Sequence, residues 1–148
     1  MALGKDFSEF IALLNENKVR YLVVGGYAVA FHGHPRYTKD LDVWVEISLE
    51  NAQRIISSLA QFGFASLGLT IEDFLAEDSF AQLGYPPHRI DILTSCDGVD
   101  FAECYLSKGE IEIDGLKIDF IDIENLTRNK AAAGRPQDLA DIANLKSS

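Results

Sequence analysis

The chain has 148 residues, of which 47% are hydrophobic and 24% are charged, a balance that excludes a disordered chain and predicts a globular domain with a sizeable core. Its 13 basic and 23 acidic residues give a formal net charge of −10, which opposes tight, salt-dependent binding to a nucleic-acid backbone. A local basic cleft for a nucleotide is compatible with this charge, since most of the acidic side chains are expected at the solvated surface. We expect a single domain over residues 1–148.

No segment predicts membrane insertion or export. The uncharged stretch over residues 21–31 is far shorter than the roughly 20 residues that span a bilayer. A basic segment followed by an apolar one does not precede it, so we expect a cytoplasmic protein with no membrane partner. Cys96 and Cys104 are expected to be reduced and structural, and we assign them no role.

The chain begins with a helix signal and then a strand signal. Asp6 and Glu9 have the spacing of a capping box, and the apolar residues after them recur at helical spacing, which predicts a helix over residues 7–15. The continuous apolar run over residues 21–24 predicts a buried central strand.

A glycine pair, Gly25 and Gly26, follows that strand and lets the backbone turn sharply before a short helix over residues 27–31. A strand, a glycine turn and a helix N-terminus together can form an anion site. Taken alone, the pair is more typical of a plain tight turn, and only the acids that follow favour the anion site.

Two aspartates, Asp40 and Asp42, open the next apolar run. Side chains alternate between the two faces of a strand, so these acids share one face while Leu41, Val43 and Val45 take the other. Two carboxylates on one face repel each other unless a cation lies between them. The pattern therefore predicts a site for a divalent metal.

The loop that leads into this strand carries further candidate ligands. Arg36 has a permanent charge on a forked donor suited to phosphate, and Thr38 lies two residues before Asp40. We predict that both bind the nucleotide, although either could instead hold the loop in place. His32 and His34 are expected to form ordinary hydrogen bonds, because the hard oxygen ligands nearby favour magnesium and magnesium does not favour imidazole.

The next segment predicts a helix that covers one side of the sheet and then several short elements. Ser48 is the expected N-cap and Gly63 the expected stop. The apolar face of this helix is predicted to comprise Leu49, Ala52, Ile55, Ile56 and Leu59. A short strand over residues 64–69, a capped helical turn over residues 70–76 and extended chain over residues 79–85 are expected to follow.

A single acid, Asp91, lies inside the apolar run of residues 88–94. Because an unpaired charge is costly to bury, this acid either faces water on an edge strand or has a partner. We expect its strand to lie beside the strand of Asp40 and Asp42, which would complete a cluster of three carboxylates.

The C-terminal part predicts a hairpin and two helices. Asp114 and Gly115 form a two-residue turn between strands over residues 111–113 and 116–120, which should widen the sheet by two antiparallel strands. One helix is expected to start near Asp122. A second should open at residues 135–136 and bury Leu139, Ile142, Ala143 and Leu145.

Lys130 lies on the first of these two helices, just before a run of small residues. It is placed either to reach a phosphate or to form a Lys–Asp ion pair that links the two helices. An Arg135–Asp138 ion pair could link them in the same way. The two interpretations are equally consistent with the spacing.

Together these motifs resemble the nucleotidyltransferase fold of the DNA polymerase β superfamily. The shared features are a Gly-Gly pair after a strand, Asp-x-Asp opening the next strand and a lone acid on a later one. The segment Gly-Gly-Tyr-Ala-Val-Ala-Phe-His-Gly, then Arg-Tyr-Thr-Lys-Asp-Leu-Asp, and the closing Lys-x3-Gly-Arg-Pro-x-Asp-x2-Asp are similar to small bacterial nucleotidyltransferases. These are relatives of AbiEii-type toxins and lincosamide-modifying enzymes, and the similarity spans residues 21–145.

The resemblance implies an α+β nucleotidyltransferase fold, with a mixed twisted β-sheet flanked by helices and a C-terminal helix pair. It also implies magnesium-dependent transfer of a nucleoside monophosphate from a nucleoside triphosphate to a hydroxyl acceptor, with a toxin–antitoxin system as one expected setting. The acceptor would be a small molecule, RNA or protein, and a partner protein or a second copy of the chain is expected. The alternatives are a non-catalytic nucleotide-binding or interaction module with the same fold, and a metal-dependent phosphohydrolase.

The resemblance also assigns roles to individual residues. The glycine pair faces the triphosphate, and the first two acids bind two Mg²⁺ ions (or Mn²⁺). The third acid also binds metal and is the base for the acceptor hydroxyl. The lysine lies near the nucleotide. These residues are Gly25, Gly26, Asp40, Asp42, Asp91 and Lys130. Tyr27 stands where many members have serine, which removes one phosphate donor. The helical domain of larger members is missing, so the acceptor pocket is expected to be small, supplied by a partner, or absent.

Overall fold

The computed structural model describes residues 3–34, 38, 40–84 and 89–146, and these residues form six α-helices and six strands. The helices are α1 (Lys5–Glu16), α2 (Gly25–Phe31), α3 (Leu49–Phe62), α4 (Phe101–Leu106), α5 (Ile123–Ala133) and α6 (Pro136–Lys146). The strands are β1 (Tyr21–Val24), β2 (Asp40–Val45), β3 (Phe80–Leu83), β4 (Arg89–Leu93), β5 (Gly109–Ile113) and β6 (Leu116–Phe120).

All six strands join one mixed sheet in the order β3-β4-β2-β1-β6-β5. Strand β2 runs antiparallel to β1 and parallel to β4. The predicted α+β class, with a mixed sheet, flanking helices and a C-terminal helix pair, is confirmed. The hairpin of β5 and β6 also forms as predicted, but β6 joins β1 in parallel, so the prediction of two added antiparallel strands is wrong in this respect. A hairpin turn sets how its own two strands pair, but it does not determine the direction in which either strand pairs with the rest of the sheet.

The two faces of the sheet carry separate apolar cores. Leu41, Val43 and Val45 of β2 face the core that α1 and α3 cover, while Trp44 belongs to the core on the other face, with residues of α4, α5 and α6. Helix α1 buries the face predicted from its spacing, Phe7, Phe10, Ile11 and Leu14. Because strand side chains alternate, Asp40 and Asp42 lie on the same face of β2 as Trp44.

Helix α3 begins and ends where its caps predict. The Oγ of Ser48 accepts a hydrogen bond from the backbone N–H of Asn51, and Gly63 ends the helix with a left-handed backbone, φ 99°. Leu49 was expected on the apolar face but is 57% exposed, because it is the first residue of the helix and extends beyond the core.

Two 3₁₀ turns, Ala65–Leu67 and Ile71–Phe74, connect α3 to the sheet. The prediction of a short strand over residues 64–69 is therefore wrong. Among the described residues this segment has no strand partner, and a short apolar segment does not form a strand without one. The capping box before the second turn is confirmed, since Thr70 donates its backbone N–H to Asp73 at 2.7 Å.

The buried side of α6 differs from the prediction. Leu145 is buried as expected and Ile142 is half-buried, but Leu139 is 56% exposed and Ala143 is exposed too. The buried positions nearer the start of the helix are two acids, Asp138 and Asp141. Carboxylates are seldom buried without a partner, and Lys130 and Arg135 supply the partners here.

Three smaller expectations can be compared with the structure. Cys96 and Cys104 are free thiols, as predicted. The Nε2 of His32 forms a hydrogen bond of 2.8 Å with the backbone oxygen of Ile121, the ordinary role expected for it. Over the described part of the chain, no helix combines the length and the hydropathy that a membrane span requires.

Candidate active site

Three acids lie at one end of the sheet because of the strand register. Asp42 of β2 is paired with Val24 of β1 on one side and with Asp91 of β4 on the other. Asp40 precedes Asp42 by two residues and so shares its face. The sequence predicted that the strand of Asp91 lies beside the strand of the other two acids, and this placement is confirmed.

Burial and charge repulsion raise the pKa values of two of these acids. Burial, together with the nearby carboxylates of Asp91 and Asp40, raises the pKa of Asp42 to about 7, although Arg89 and Arg135 oppose the rise. Burial also raises the pKa of Asp91, again against the effect of Arg89.

Arg89 is the residue of this group that the sequence analysis missed. It is paired in register with Asp40, and its Nη2 donates to Asp40 Oδ2 at 2.7 Å and to Asp91 Oδ2 at 3.2 Å. Its Nε lies 3.2 Å from Asp91 Oδ1. The available signal was the spacing Arg-x-Asp on a strand, which puts a cation on the same face as Asp91.

Gly25 allows the close approach of the first turn of α2 to Asp42. Its backbone is left-handed, φ 67°, and a Cβ atom placed on it would overlap Asp42 Oδ2. The sequence placed the start of this helix at residue 27, whereas it begins at Gly25. Gly26 is buried within the first turn, so only Gly25 faces the site.

Replacing Gly25 with alanine is expected to lower the free energy of unfolding by about 2–3 kcal/mol, because the new methyl group meets Asp42 and L residues are strained at this φ. Urea denaturation measures the change. The matched control is Gly68→Ala, which has a similar φ of 72° but open space around its Cβ position. Equal losses in the two variants would show that backbone strain alone matters and that contact with Asp42 does not.

A cavity of about 430 Å³ opens at the acids, which is within the range of ligand pockets. Val24, Gly25, Asp42 and Asp91 form part of its wall, and Phe80 and Leu93 add apolar surface. The remaining polar lining comprises Ser95, Cys96, Asp97, Asn129, Lys130 and Arg135. One cavity therefore joins the carboxylates to the helix pair that carries two cations.

Lys130 lines this cavity and also links helices α5 and α6 through ion pairs. Its side chain is 4% exposed, and its Nζ lies 2.9 Å from Asp141 Oδ2 and 3.3 Å from Asp138 Oδ1. Arg135 completes the arrangement with its Nε 2.7 Å from Asp138 Oδ2. Although burial raises the pKa of Asp138, the hydrogen bond from Arg135 and the charge of Lys130 outweigh it and hold that pKa below its ordinary value.

Both ion pairs considered from the sequence, Lys–Asp and Arg135–Asp138, are thus present in the structure. Arg135, unlike Lys130, is 75% exposed at its side chain, so its guanidinium keeps donors free to face the cavity. The proposed contact of Lys130 with a nucleotide stays a prediction.

Two further predicted site residues precede β2. The Oγ1 of Thr38 donates a long hydrogen bond of 3.4 Å to the backbone oxygen of Asp40, which supports the alternative that this residue holds the loop. Arg36 lies outside the described residues. Contacts of either residue with a nucleotide remain predictions.

The donor set at the acids suits a hard divalent cation. Asp42 and Asp91 offer carboxylate oxygens that repel one another, and the absence of a side chain at Gly25 keeps Asp42 accessible. Within the described ranges, however, no three His, Cys, Asp or Glu side chains are arranged to hold one ion. Arg89 bridges Asp40 and Asp91, and the three-acid metal site stays a prediction.

Sequence comparison identifies the family. The model of a family described as nucleotidyltransferases of unknown function (DUF6036) matches residues 3–146. The chain belongs to this nucleotidyltransferase family. The resemblance drawn from the glycine pair and the three acids is thereby confirmed. No curated protein matches the sequence of this nucleotidyltransferase significantly.

Solved structures show the same fold for this nucleotidyltransferase at low sequence identity. The Thermotoga maritima protein TM1012 has a TM-score of 0.63 and 17% identity, covering 95% of this chain and 90% of its own. The lincosamide antibiotic adenylyltransferase LnuA, solved with lincomycin, has a TM-score of 0.59 and 16% identity, covering 99% and 98%. ANT(2″)-Ia, solved with adenylyl-2″-tobramycin, has a TM-score of 0.60 and 14% identity, covering 95% and 86%.

Proposed function

We propose that this nucleotidyltransferase transfers a nucleoside monophosphate from a nucleoside triphosphate to a hydroxyl acceptor and releases pyrophosphate. The observation that supports this most is the register that sets Asp42 beside Asp91 in the wall of a 430 Å³ cavity shared with Lys130 and Arg135. The cavity contains carboxylates that can bind metal and cations that can bind phosphate. Nucleotidyl transfer needs both, because its catalysis depends on positioning and on charge neutralisation.

Asp40, Asp42 and Asp91 would hold Mg²⁺, or Mn²⁺, which when bound neutralises phosphate charge and activates the attacking oxygen. Asp91 takes the proton of the acceptor hydroxyl, and burial favours this because it raises the pKa of Asp91. The acceptor oxygen then bonds to the α-phosphorus while the bond between that phosphorus and the β-phosphate oxygen breaks. The electron pair leaves with pyrophosphate.

Arg135 binds the phosphates through a guanidinium that stays charged at every working pH. Gly25 lets the backbone approach the triphosphate, and Arg36, Thr38 and Lys130 are further proposed contacts to it. Gly26 supports the turn from within the helix. These assignments rest on the sequence resemblance and, for Gly25, Arg135 and Lys130, on their positions in the cavity wall.

The decisive experiment supplies each α-³²P-labelled triphosphate with Mg²⁺ and a cell extract, and asks which class of molecule becomes labelled. A small molecule, an RNA or a protein would each migrate differently. Labelled product from the native chain and none from Asp91→Asn is the expected result. Isothermal titration that shows no binding of any triphosphate with Mg²⁺ would overturn the proposal, and release of free phosphate without an acceptor would indicate a phosphohydrolase.

A toxin–antitoxin role and a cytoplasmic location are proposed from the resemblance alone. If the chain is a toxin, its expression should slow growth, and Asp91→Asn should relieve the effect. Co-purification of a partner protein or of a second copy of the chain would identify the expected partner. Normal growth on expression of the active protein would contradict the toxin role.

The bridging position of Arg89 favours one second candidate, a nucleotide-binding module without catalysis. A guanidinium between Asp40 and Asp91 already supplies the positive charge that a metal would bring. In such a module, triphosphate would bind and no labelled product would form.

Arg89→Gln is expected to tighten Mg²⁺ binding roughly tenfold, because removal of this cation leaves the carboxylates uncompensated. Titration calorimetry without nucleotide measures the affinity. Arg54→Gln is the control, since Arg54 pairs with Glu50 on the exposed face of α3. Unchanged Mg²⁺ affinity in Arg89→Gln would show that this arginine does not compete with the metal. Product from neither the native chain nor Arg89→Gln, with nucleotide still bound, would favour the module.

A further inference from the structure

The strand register places the candidate active site in a row of residues across the sheet. Asp42 of β2 is paired with Val24 of β1 on one side and with Asp91 of β4 on the other. Asp91 is paired in turn with Gln82 of β3. Gly25 follows Val24, so the glycine turn lies at one end of this row and β3, an edge of the sheet, lies at the other. The cavity therefore has two opposite sides.

A second row on the same face, displaced by two residues along the strands, is apolar. It runs from Trp44 of β2 through Leu93 of β4 to Phe80 of β3. Trp44 is buried, Leu93 is half-buried and Phe80 is 61% exposed. Leu93 and Phe80 both line the cavity. The Cβ atoms of directly opposed strand residues lie about 4.5–5.5 Å apart, so these two side chains form one apolar platform in the cavity wall.

Phe80 departs from the pattern of its own strand. Ala81 and Leu83 of β3 are buried in the core on the other face of the sheet, whereas Gln82 is exposed on the same face as Phe80. An edge strand that alternates in this way usually carries polar residues on its solvated face. Phenylalanine at this position instead presents a large aromatic surface to the cavity, where an apolar part of a ligand can cover it.

The platform of Phe80 and Leu93 lies on the side of the cavity from which an acceptor would attack. Phe80 is diagonal to Asp91 across β3 and β4, a separation of about 7–8 Å that an aromatic side chain can span. In an in-line displacement, the attacking and leaving oxygens lie on opposite sides of the phosphorus. If the triphosphate lies at the glycine turn, pyrophosphate leaves toward Gly25 and the acceptor approaches from β4 and β3.

We propose that Phe80 and Leu93 bind the acceptor, and that the acceptor carries its reacting hydroxyl on an apolar ring. This inference rests on the proposed function. The ring packs on the platform and its hydroxyl lies over Asp91, which takes the proton while the oxygen bonds to the α-phosphorus and the electron pair leaves with pyrophosphate. A ring suits the platform because it stacks on an aromatic face and loses little conformational entropy.

A strongly polar acceptor gains nothing from this platform. Its polar groups would lose water against Phe80 and Leu93, and neither side chain can replace the lost hydrogen bonds. The character of the platform therefore determines which acceptors bind, while Asp91 and the metal determine the chemistry.

The variant Phe80→Ser removes the exposed part of the platform. We expect transfer from α-³²P-labelled triphosphate to the acceptor in cell extract to fall roughly tenfold, while the Kd of the triphosphate with Mg²⁺ stays within about twofold of the native value. Phe80→Leu keeps an apolar surface and should stay within about threefold of native transfer. Leu106→Ser is the control, because Leu106 is 89% exposed and lies outside the cavity wall, and its transfer should be native.

Two results of this comparison overturn the proposal. Native transfer by Phe80→Ser would show that the acceptor does not contact this side chain. A loss of triphosphate affinity in Phe80→Ser would show that the nucleobase, and not the acceptor, packs on Phe80. Urea denaturation checks that the variant is folded, which we expect because the side chain that it replaces is mostly exposed.

Benzyl alcohol probes the platform without turnover, and erythritol is its polar counterpart with the same number of non-hydrogen atoms. 4-Fluorophenylalanine incorporated at position 80 gives a single ¹⁹F signal. With triphosphate and Mg²⁺ present, we expect benzyl alcohol to shift this signal in a saturable way and erythritol to leave it unchanged. The same label at position 106 should respond to neither. No shift at position 80, or an equal shift at position 106, overturns the proposal.

The failure of this inference and the failure of the proposed function give different results. Labelled product from the native chain, without any response of position 80 to benzyl alcohol, overturns only the acceptor platform. Labelled RNA as the product also overturns it, since ribose carries its hydroxyls on a polar ring. A native chain that binds no triphosphate and forms no product overturns the proposed function, and the acceptor role of Phe80 with it.

Discussion

Replacement of Lys130 with methionine is expected to lower the free energy of unfolding by about 3–5 kcal/mol, a large share of the stability of a domain of this size. The ammonium group is buried between Asp138 and Asp141, and both of these side chains are buried as well. Methionine fills much the same volume but leaves two carboxylates of α6 without their common cation. The loss arises from the uncompensated charge rather than from packing.

Urea denaturation at pH 7 measures this change. Lys117→Met is the control, because Lys117 is exposed and pairs with the exposed Glu110, and such surface pairs contribute about 0–1 kcal/mol. If Lys130→Met unfolds at the same urea concentration as the native chain and yet loses triphosphate binding, the lysine serves the ligand and not the helix pair.

The substitution Asp42→Asn is expected to reduce transfer roughly 10³-fold and yet to stabilise the protein without metal at pH 8 by about 1–3 kcal/mol. The folded chain binds the proton of Asp42 more tightly than the unfolded chain, since the pKa rises from 3.8 to about 7 on folding. Ionisation of Asp42 therefore costs stability as the pH rises between these values. Asparagine avoids that cost because it carries no charge.

The difference in stability between Asp42→Asn and the native chain should depend on pH and on Mg²⁺. Unfolding in urea with EDTA should show the largest advantage of Asp42→Asn at pH 8, and the advantage should shrink as the pH falls toward 4. Mg²⁺ at pH 8 should reduce the difference, because it stabilises the native carboxylate and not the amide. A variant that is less stable than the native chain at pH 8 would contradict the view that burial and the neighbouring acids make the charge of Asp42 costly.

Much of the candidate site followed from local patterns. The apolar run before Gly25, the alternation around Asp40 and Asp42 and the caps of α3 each have a short-range physical cause, and each formed as predicted. To predict the position of Asp91, one further argument was needed, namely that a buried acid requires a partner. That step gave the correct neighbouring strand.

The errors arose where a residue's environment depends on distant parts of the chain. Residues 64–69 have the composition of a strand but find no partner, and α6 buries Asp138 and Asp141 because Lys130 of α5 compensates them. Arg89 was overlooked for a related reason. The Arg-x-Asp spacing places it on the same face as Asp91, but its contact with Asp40 depends on which strand lies beside its own.

By itself, the sequence determined the glycine turn after the first strand, the shared face of Asp40 and Asp42 and the family, because these depend on side-chain period and on residues close in the chain. Only the tertiary structure decided that Arg89 bridges two of the acids, that β6 lies parallel to β1 and that Asp138 and Asp141 are buried beside Lys130. Electrostatic compensation and strand pairing act between residues far apart in the chain, so they are determined when the chain packs and not before.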